Sequence, residues 1–139
     1  MRVEESVFVP APPDVVWEVV GDVGGIGRWI PGVAAVAVEG DVRRVTFTNG
    51  AVASERILSV DVDARTCTYA YVTGPLPLER YEARLAVVAA EGGSRVRWNA
   101  DFAGYSPAED DRLRAIISGA YRRALERLVG LHRTGPGQD

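Results

Sequence analysis

The sequence predicts a single α+β domain in which one antiparallel sheet is followed by one long C-terminal helix. Six segments between Val33 and Phe102 are rich in Val, Tyr, Thr and Ile and are separated by turn signals, with no helical stretch between them. The chain then closes with a capped stretch of about 25 residues whose apolar positions recur at helical spacing. The 139 residues are 47% hydrophobic and 25% charged, a composition that suits one globular domain with a sizeable core. We assign this domain to residues 1–134 and expect 135–139 to form a flexible tail.

Residues 3–9 alternate loosely and read as a first strand. Pro12 and Pro13 open a short helix with Val16, Trp17 and Val20 on its apolar side, and Gly21 ends it. Gly24, Gly25 and Gly27 loosen the chain before Arg28-Trp29-Ile30-Pro31, which reads as a second short helical turn. These glycines do not form a dinucleotide loop, because no long strand precedes them and no long helix follows. The strand segments are 33–39, 42–48, 51–61, 66–72, 79–90 and 94–103. Asn49-Gly50, Gly74-Pro75 and Glu91-Gly92-Gly93 are among the turns between them. Ser106 suits an N-cap, Pro107 the first helical position and Glu109 the far end of a capping box. Asp110 and Asp111 favour the positive end of the helix dipole, and arginines populate the later turns. Leu113, Ile116, Ile117, Ala120, Ala124, Leu128 and Leu131 then form the stripe expected to face the sheet.

Several chemistries are excluded by composition. All 16 basic residues are Arg, so no Schiff-base lysine exists. Cys67 is the only cysteine and His132 the only histidine, which argues against a disulfide, the usual metal sites and His-dependent nucleophilic triads. We therefore expect no metal and no cofactor. The net charge is −3 and the arginines are scattered, so no nucleic-acid footprint is expected. No apolar run approaches the roughly 20 residues that span a bilayer. The N-terminus, MRVEESVFVP, carries two glutamates where a secretory signal needs positive charge. The expected setting is the cytoplasm, the expected partner a small hydrophobic or aromatic molecule, and the expected state a monomer or weak homodimer.

The segment APPDVVWEVVGDVGGIGRWIPGV, with its proline, Val-Trp pair, Asp and Trp-Ile-Pro, resembles the N-terminal signature of the START-related SRPBCC superfamily. ASERILSVDVDARTCTYAYVTGPLPLERYEARLAV resembles the central strands of the subgroup that holds polyketide cyclase/dehydrase-like proteins, abscisic-acid receptors and lachrymatory factor synthase. The resemblance covers nearly the whole chain. It implies a helix-grip fold, in which a curved seven-stranded antiparallel sheet wraps a long C-terminal helix, two short helices follow strand 1, and a ligand sits between sheet and helix. It also implies site residues. The Glu of the Glu-Arg-hydrophobic motif falls on Glu55, an aromatic falls on Tyr69, a tyrosine falls on Tyr81, and the arginine of Gly-x-Val-Arg falls on Arg43. The gate and latch loops of the hormone receptors are missing, since the chain reads Thr48-Asn49-Gly50-Ala51 and Leu76-Pro77-Leu78 there. A gated receptor mechanism is not expected.

Strand alternation puts Cys67, Tyr69 and Tyr71 on one face, and Trp98, Ala100 and Phe102 on another. From these patterns and the resemblance, Glu55, Arg43 and Tyr81 are the candidate catalytic residues. Val45, Phe47, Ala53, Ile57, Tyr69, Tyr71, Leu76, Leu78, Trp98, Ala100, Ile116, Ala120 and Ala124 are the candidate pocket wall, around a cavity of roughly 300 Å³ or more. In relatives of the resembled group that are enzymes, such a site implies cofactor-free cyclisation, dehydration or isomerisation. A carrier or sensor of a hydrophobic metabolite, and an interaction module with little cavity, are the other two readings. Glu55 could equally make a structural ion pair or lie on the outer face. The hairpin at Asn49-Gly50 decides this: a two-residue turn pairs Arg44 with Glu55 on a solvent face, whereas a three-residue loop, Thr48-Asn49-Gly50, pairs Arg43 with Glu55 on the apolar face. Burying Val45 and Phe47 is worth more than burying Thr46 and Thr48, so the three-residue loop is expected.

Overall fold

The computed structural model describes residues 1–133, and the expected tail at 135–139 lies outside the described residues. The chain runs β1 (Arg2–Val9), α1 (Pro13–Val20), a 3₁₀ turn (Ile26–Arg28), β2 (Val33–Glu39), β3 (Val42–Phe47), β4 (Val52–Asp61), β5 (Thr66–Thr73), β6 (Leu78–Ala90), β7 (Gly93–Gly104) and α2 (Pro107–Leu131). The seven strands form one antiparallel sheet in the order β1-β7-β6-β5-β4-β3-β2. Strands β2 to β7 are a meander of successive neighbours. The short helical segments carry the chain from β1 at one edge to β2 at the other, and α2 then covers the inner face of the curved sheet.

Period-two burial explains why each strand lies as it does. On β7, Ser94, Val96, Trp98, Ala100 and Phe102 are buried, while Arg97 and Asp101 between them are exposed. On β6, Tyr81, Ala83, Leu85 and Val87 do the same. Removing a side chain such as Phe102 or Leu113 from water stabilises the fold by about 1.5–3 kcal/mol each. Helix α2 faces this surface with Leu113, Ile117, Tyr121, Ala124, Leu125 and Leu128, all buried. The expected stripe is corrected here: Ile116 and Leu131 are exposed, at 42% and 47%, as is Ala120, and Tyr121 and Leu125 join the core instead. At 3.6 residues per turn, the row 113, 117, 121, 124, 128 is the one that stays aligned with the sheet.

The start of α2 differs in detail from the expected box. Ser106 Oγ accepts from the Glu109 N–H at 3.3 Å, but Glu109 Oε2 accepts from Tyr105 N–H rather than from Ser106. Asp110 Oδ1 takes the Gly104 N–H at 2.6 Å. The second short helical element precedes its expected place: the 3₁₀ turn covers Ile26–Arg28, and Trp29 only caps it.

The hairpin between β3 and β4 has the three-residue loop. Phe47 N–H donates to Ala51 O at 2.8 Å and Gly50 N–H to Phe47 O at 2.9 Å, with Gly50 at φ +89°. That positive φ is why glycine is required at this position. Asn49 Oδ1 braces the loop by accepting from Ala51 N–H at 2.9 Å. The register that follows pairs Arg43 with Glu55 and Val45 with Ala53.

Candidate functional site

Between the inner face of the sheet and the first half of α2 lies a cavity of about 180 Å³. Exposed Pro75, Ile116 and Ala120 stand at its mouth, and Tyr69, Tyr81, Trp98 and Tyr121, all buried, form its inner end. The cavity is smaller than the roughly 300 Å³ expected from sequence, because four aromatic side chains fill its deep end. An apolar cavity of about 150 Å³ can hold benzene, so the space suits a single ring with a small substituent. A larger groove between β1 and α2 is charged, and Glu5 there is held by Ser118 and Arg122.

Arg43, Glu55 and Tyr81 all border the cavity, as do Val45, Phe47, Ala53, Tyr69, Tyr71, Leu76, Leu78, Trp98, Ile116 and Ala120. Ile57, Ala100 and Ala124 do not. Ile57, one pair beyond Glu55 on that face of β4, packs against the core where the cavity ends. Ala100 and Ala124 are 1% and 0% exposed and belong to the packed core rather than to the cavity wall. Sequence reasoning missed Tyr121, for which the i, i+4 row from Leu113 was the available signal, and had Ile117 on the helical stripe without naming it in the pocket wall. It also missed Ile26, Ile30, Val33 and Pro75, which sit in or beside loops and follow no periodic pattern.

The polar side chains of the cavity wall form two clusters, with Tyr71 apart from both at the mouth. In the first, Arg43 Nε and Nη2 reach Glu55 Oε1 at 2.8 and 2.7 Å, and Arg43 Nη1 donates to Val23 O at 3.1 Å. The guanidinium also lies 4.9 Å from the centre of the Tyr69 ring, within cation–π range. Arg43 is 4% exposed, so this is a buried ion pair whose partners neutralise each other. Glu55 Oε2 makes no hydrogen bond among the described residues.

In the second cluster, Trp98 Nε1–H donates to Tyr69 Oη at 3.1 Å, the Tyr69 and Tyr81 hydroxyls are 3.4 Å apart, and the Tyr81 hydroxyl is hydrogen-bonded to that of Tyr121. Tyr121 stacks on Trp98 with ring centres 3.8 Å apart and planes 8° from parallel, and Trp29 backs Trp98 at 5.2 Å. Burial pushes the Tyr69 phenol up to about 12, helped by the Glu55 charge and opposed by Arg43. Burial also raises Tyr81 and Tyr121 well above the ordinary phenol value. All three therefore stay protonated at neutral pH and can donate. At the mouth, Tyr71 Oη both donates to Leu76 O and accepts from Leu76 N–H, each at 3.0 Å, which ties the β5–β6 loop to the sheet.

No group of His, Cys, Asp and Glu among the described residues is arranged to hold a metal ion. No helix among them is long and apolar enough to cross a membrane.

A curved antiparallel sheet gripping a long helix over an apolar cavity defines a helix-grip protein. The chain belongs to the polyketide cyclase / dehydrase and lipid transport family, whose profile matches residues 1–132. It is similar to a protein from Thermobifida fusca of known solution structure, with 31% identity over 92% of this chain and 90% of that one, at a TM-score of 0.82. An uncharacterized protein from Bacillus thuringiensis shares the fold at a TM-score of 0.89, with 21% identity over 95% and 98% of the two chains. So does the Zhui aromatase/cyclase from Streptomyces sp. R1128, at a TM-score of 0.75, with 22% identity over 95% and 93%. No functionally curated protein matches the chain in sequence.

Proposed function

We propose that this protein binds a small, largely apolar molecule in the cavity under α2 and carries out cofactor-free proton transfer on it. The observation that supports this reading most directly is a single Arg43–Glu55 pair in a wall that is otherwise almost wholly apolar or aromatic. A lone carboxylate in such a setting can act as general acid and base if it is held in place. Arg43 holds Glu55 through Oε1 and leaves Oε2 for the ligand. In this reading Oε2 takes a proton from the carbon beside a carbonyl group. The protonated carboxyl then returns it to another carbon, giving isomerisation, or to a departing hydroxyl, which leaves as water. Tyr69 and Tyr81 orient the inner end of the molecule. The aromatase/cyclase of the same fold lends support by analogy of architecture alone.

A carrier or sensor is the second reading. One observation favours it: each guanidinium nitrogen of Arg43 already has a protein partner, so the pair can serve as a fixed structural unit.

Native mass spectrometry of the purified protein, run to find a co-purified small molecule, tests both readings. We expect a bound species of single-ring size. Glu55→Gln then separates them. Proton exchange at the α-carbon of that molecule, followed by NMR in deuterated water, disappears in the variant if Glu55 is the base. Retained binding with no exchange in either protein would support the carrier.

A further inference from the structure

The hydroxyl cluster at the inner end of the cavity has a direction, and the direction selects a ligand. Three phenols carry three O–H protons, but among the described residues only two hydroxyl–hydroxyl hydrogen bonds use them: Tyr69 with Tyr81, and Tyr81 with Tyr121. One proton is therefore left without an acceptor in the cluster. Trp98 supplies a direction. Its indole N–H can only donate, and it donates to Tyr69. The two hydroxyl contacts allow two orders. If Tyr69 donates to Tyr81 and Tyr81 to Tyr121, each oxygen accepts one bond; the reverse order puts two donors on Tyr69 and none on Tyr121. The even order leaves the spare proton on Tyr121, which borders the cavity from α2 and stacks on Trp98. Each bond in such a chain polarises the next, so the last O–H is the strongest donor of the three.

From this geometry we infer that Tyr121 is a ligand-binding residue that donates a hydrogen bond to the carbonyl oxygen of an uncharged, single-ring-sized ligand. The inference rests on the cavity-binding reading above and narrows it to a class of ligand. A charge on the ligand would be costly there, because Arg43 and Glu55 already cancel and no other ionised group among the described residues borders the cavity. A carbonyl fits better than a hydroxyl, since it takes the spare proton and brings none of its own to a cluster that already has one in excess.

Acetophenone and α-methylstyrene test this, because they share a shape and differ by an oxygen in place of a methylene. Both are titrated calorimetrically into the full chain and into Tyr121→Phe, which keeps the aromatic stack on Trp98. The variant should weaken acetophenone binding about tenfold and leave α-methylstyrene within about twofold of the parent. The carbonyl stretch of labelled acetophenone should lie at lower frequency in the parent than in the variant. Equal effects of the variant on the two probes, or an unchanged carbonyl band, would overturn the assignment of Tyr121 while leaving the cavity reading in place. Binding of neither probe to the parent would overturn the cavity reading and the inference together.

Discussion

Arg43 shows how one buried side chain can be held by several weak constraints at once. It has a carboxylate, a backbone carbonyl and an aromatic ring as neighbours, at 2.7, 3.1 and 4.9 Å respectively. A buried pair of this kind is worth little against a well-packed apolar substitute, but breaking it leaves an uncompensated charge. Arg43→Met should therefore cost about 3–5 kcal/mol in urea denaturation, and adding Glu55→Leu should recover most of that loss. If the single and double variants lose the same stability, the pair is not what stabilises this end of the sheet. The phenol cluster differs, since each hydroxyl has a partner and the spare proton can turn into the cavity.

Helix α2 performs two tasks on adjoining surfaces. Its row from Leu113 to Leu128 seals the core, while Ile116 and Ala120, on the flank, border the cavity mouth. Two alanines one turn apart therefore respond in opposite ways to enlargement. Ala120→Phe grows into the mouth and should abolish binding of a single-ring probe with a stability loss below about 1 kcal/mol. Ala124 is 0% exposed against the sheet, so Ala124→Phe should overpack the core and cost about 1–3 kcal/mol or more. Thermal denaturation and probe titration on the two variants check this, and a reversed pattern would show that the cavity lies a turn further along the helix. The expectation that both alanines border the cavity fails at Ala124 for this reason: a helical stripe read from sequence does not say where along its length the sheet curves away.

At the scale of the whole molecule, the buried phenols couple stability to pH. Tyr69 rises from an ordinary value of 10.0 to about 12 on folding, and burial moves Tyr81 and Tyr121 in the same direction. Above the unfolded value, the unfolded chain releases protons that the folded chain retains, so stability falls as pH rises. Their contribution is present in full below the unfolded value and is lost as pH passes the folded one. Tyr69 alone contributes on the order of 3 kcal/mol over this window. Denaturation midpoints measured from about pH 8 to about pH 12 should fall steeply above about pH 10, with phenolate absorbance rising together with unfolding. Tyr69→Phe should flatten part of that slope. A midpoint insensitive to alkali would mean that the phenols have the same affinity for protons in both states.

The antiparallel sheet, the capped terminal helix and the three-residue hairpin loop were all legible in the chain, because each depends on neighbours close in sequence. Period-two burial defines the strands, Ser106-Pro107 opens α2, and the apolar faces of Val45 and Phe47 choose the register that brings Arg43 opposite Glu55. The family was legible as well, from segments spread over nearly the whole length. The shape of the cavity was not. Its volume depends on how four aromatic rings from β5, β6, β7 and α2 pack together, and its rim on loop residues such as Ile30 and Pro75. Those distances are set by sheet curvature and by side chains up to 52 positions apart, from Tyr69 to Tyr121, which no local pattern encodes. The same holds for the direction of the phenol chain: Trp98, Tyr69, Tyr81 and Tyr121 lie on four different elements, and only their meeting in three dimensions leaves the last hydroxyl free to donate.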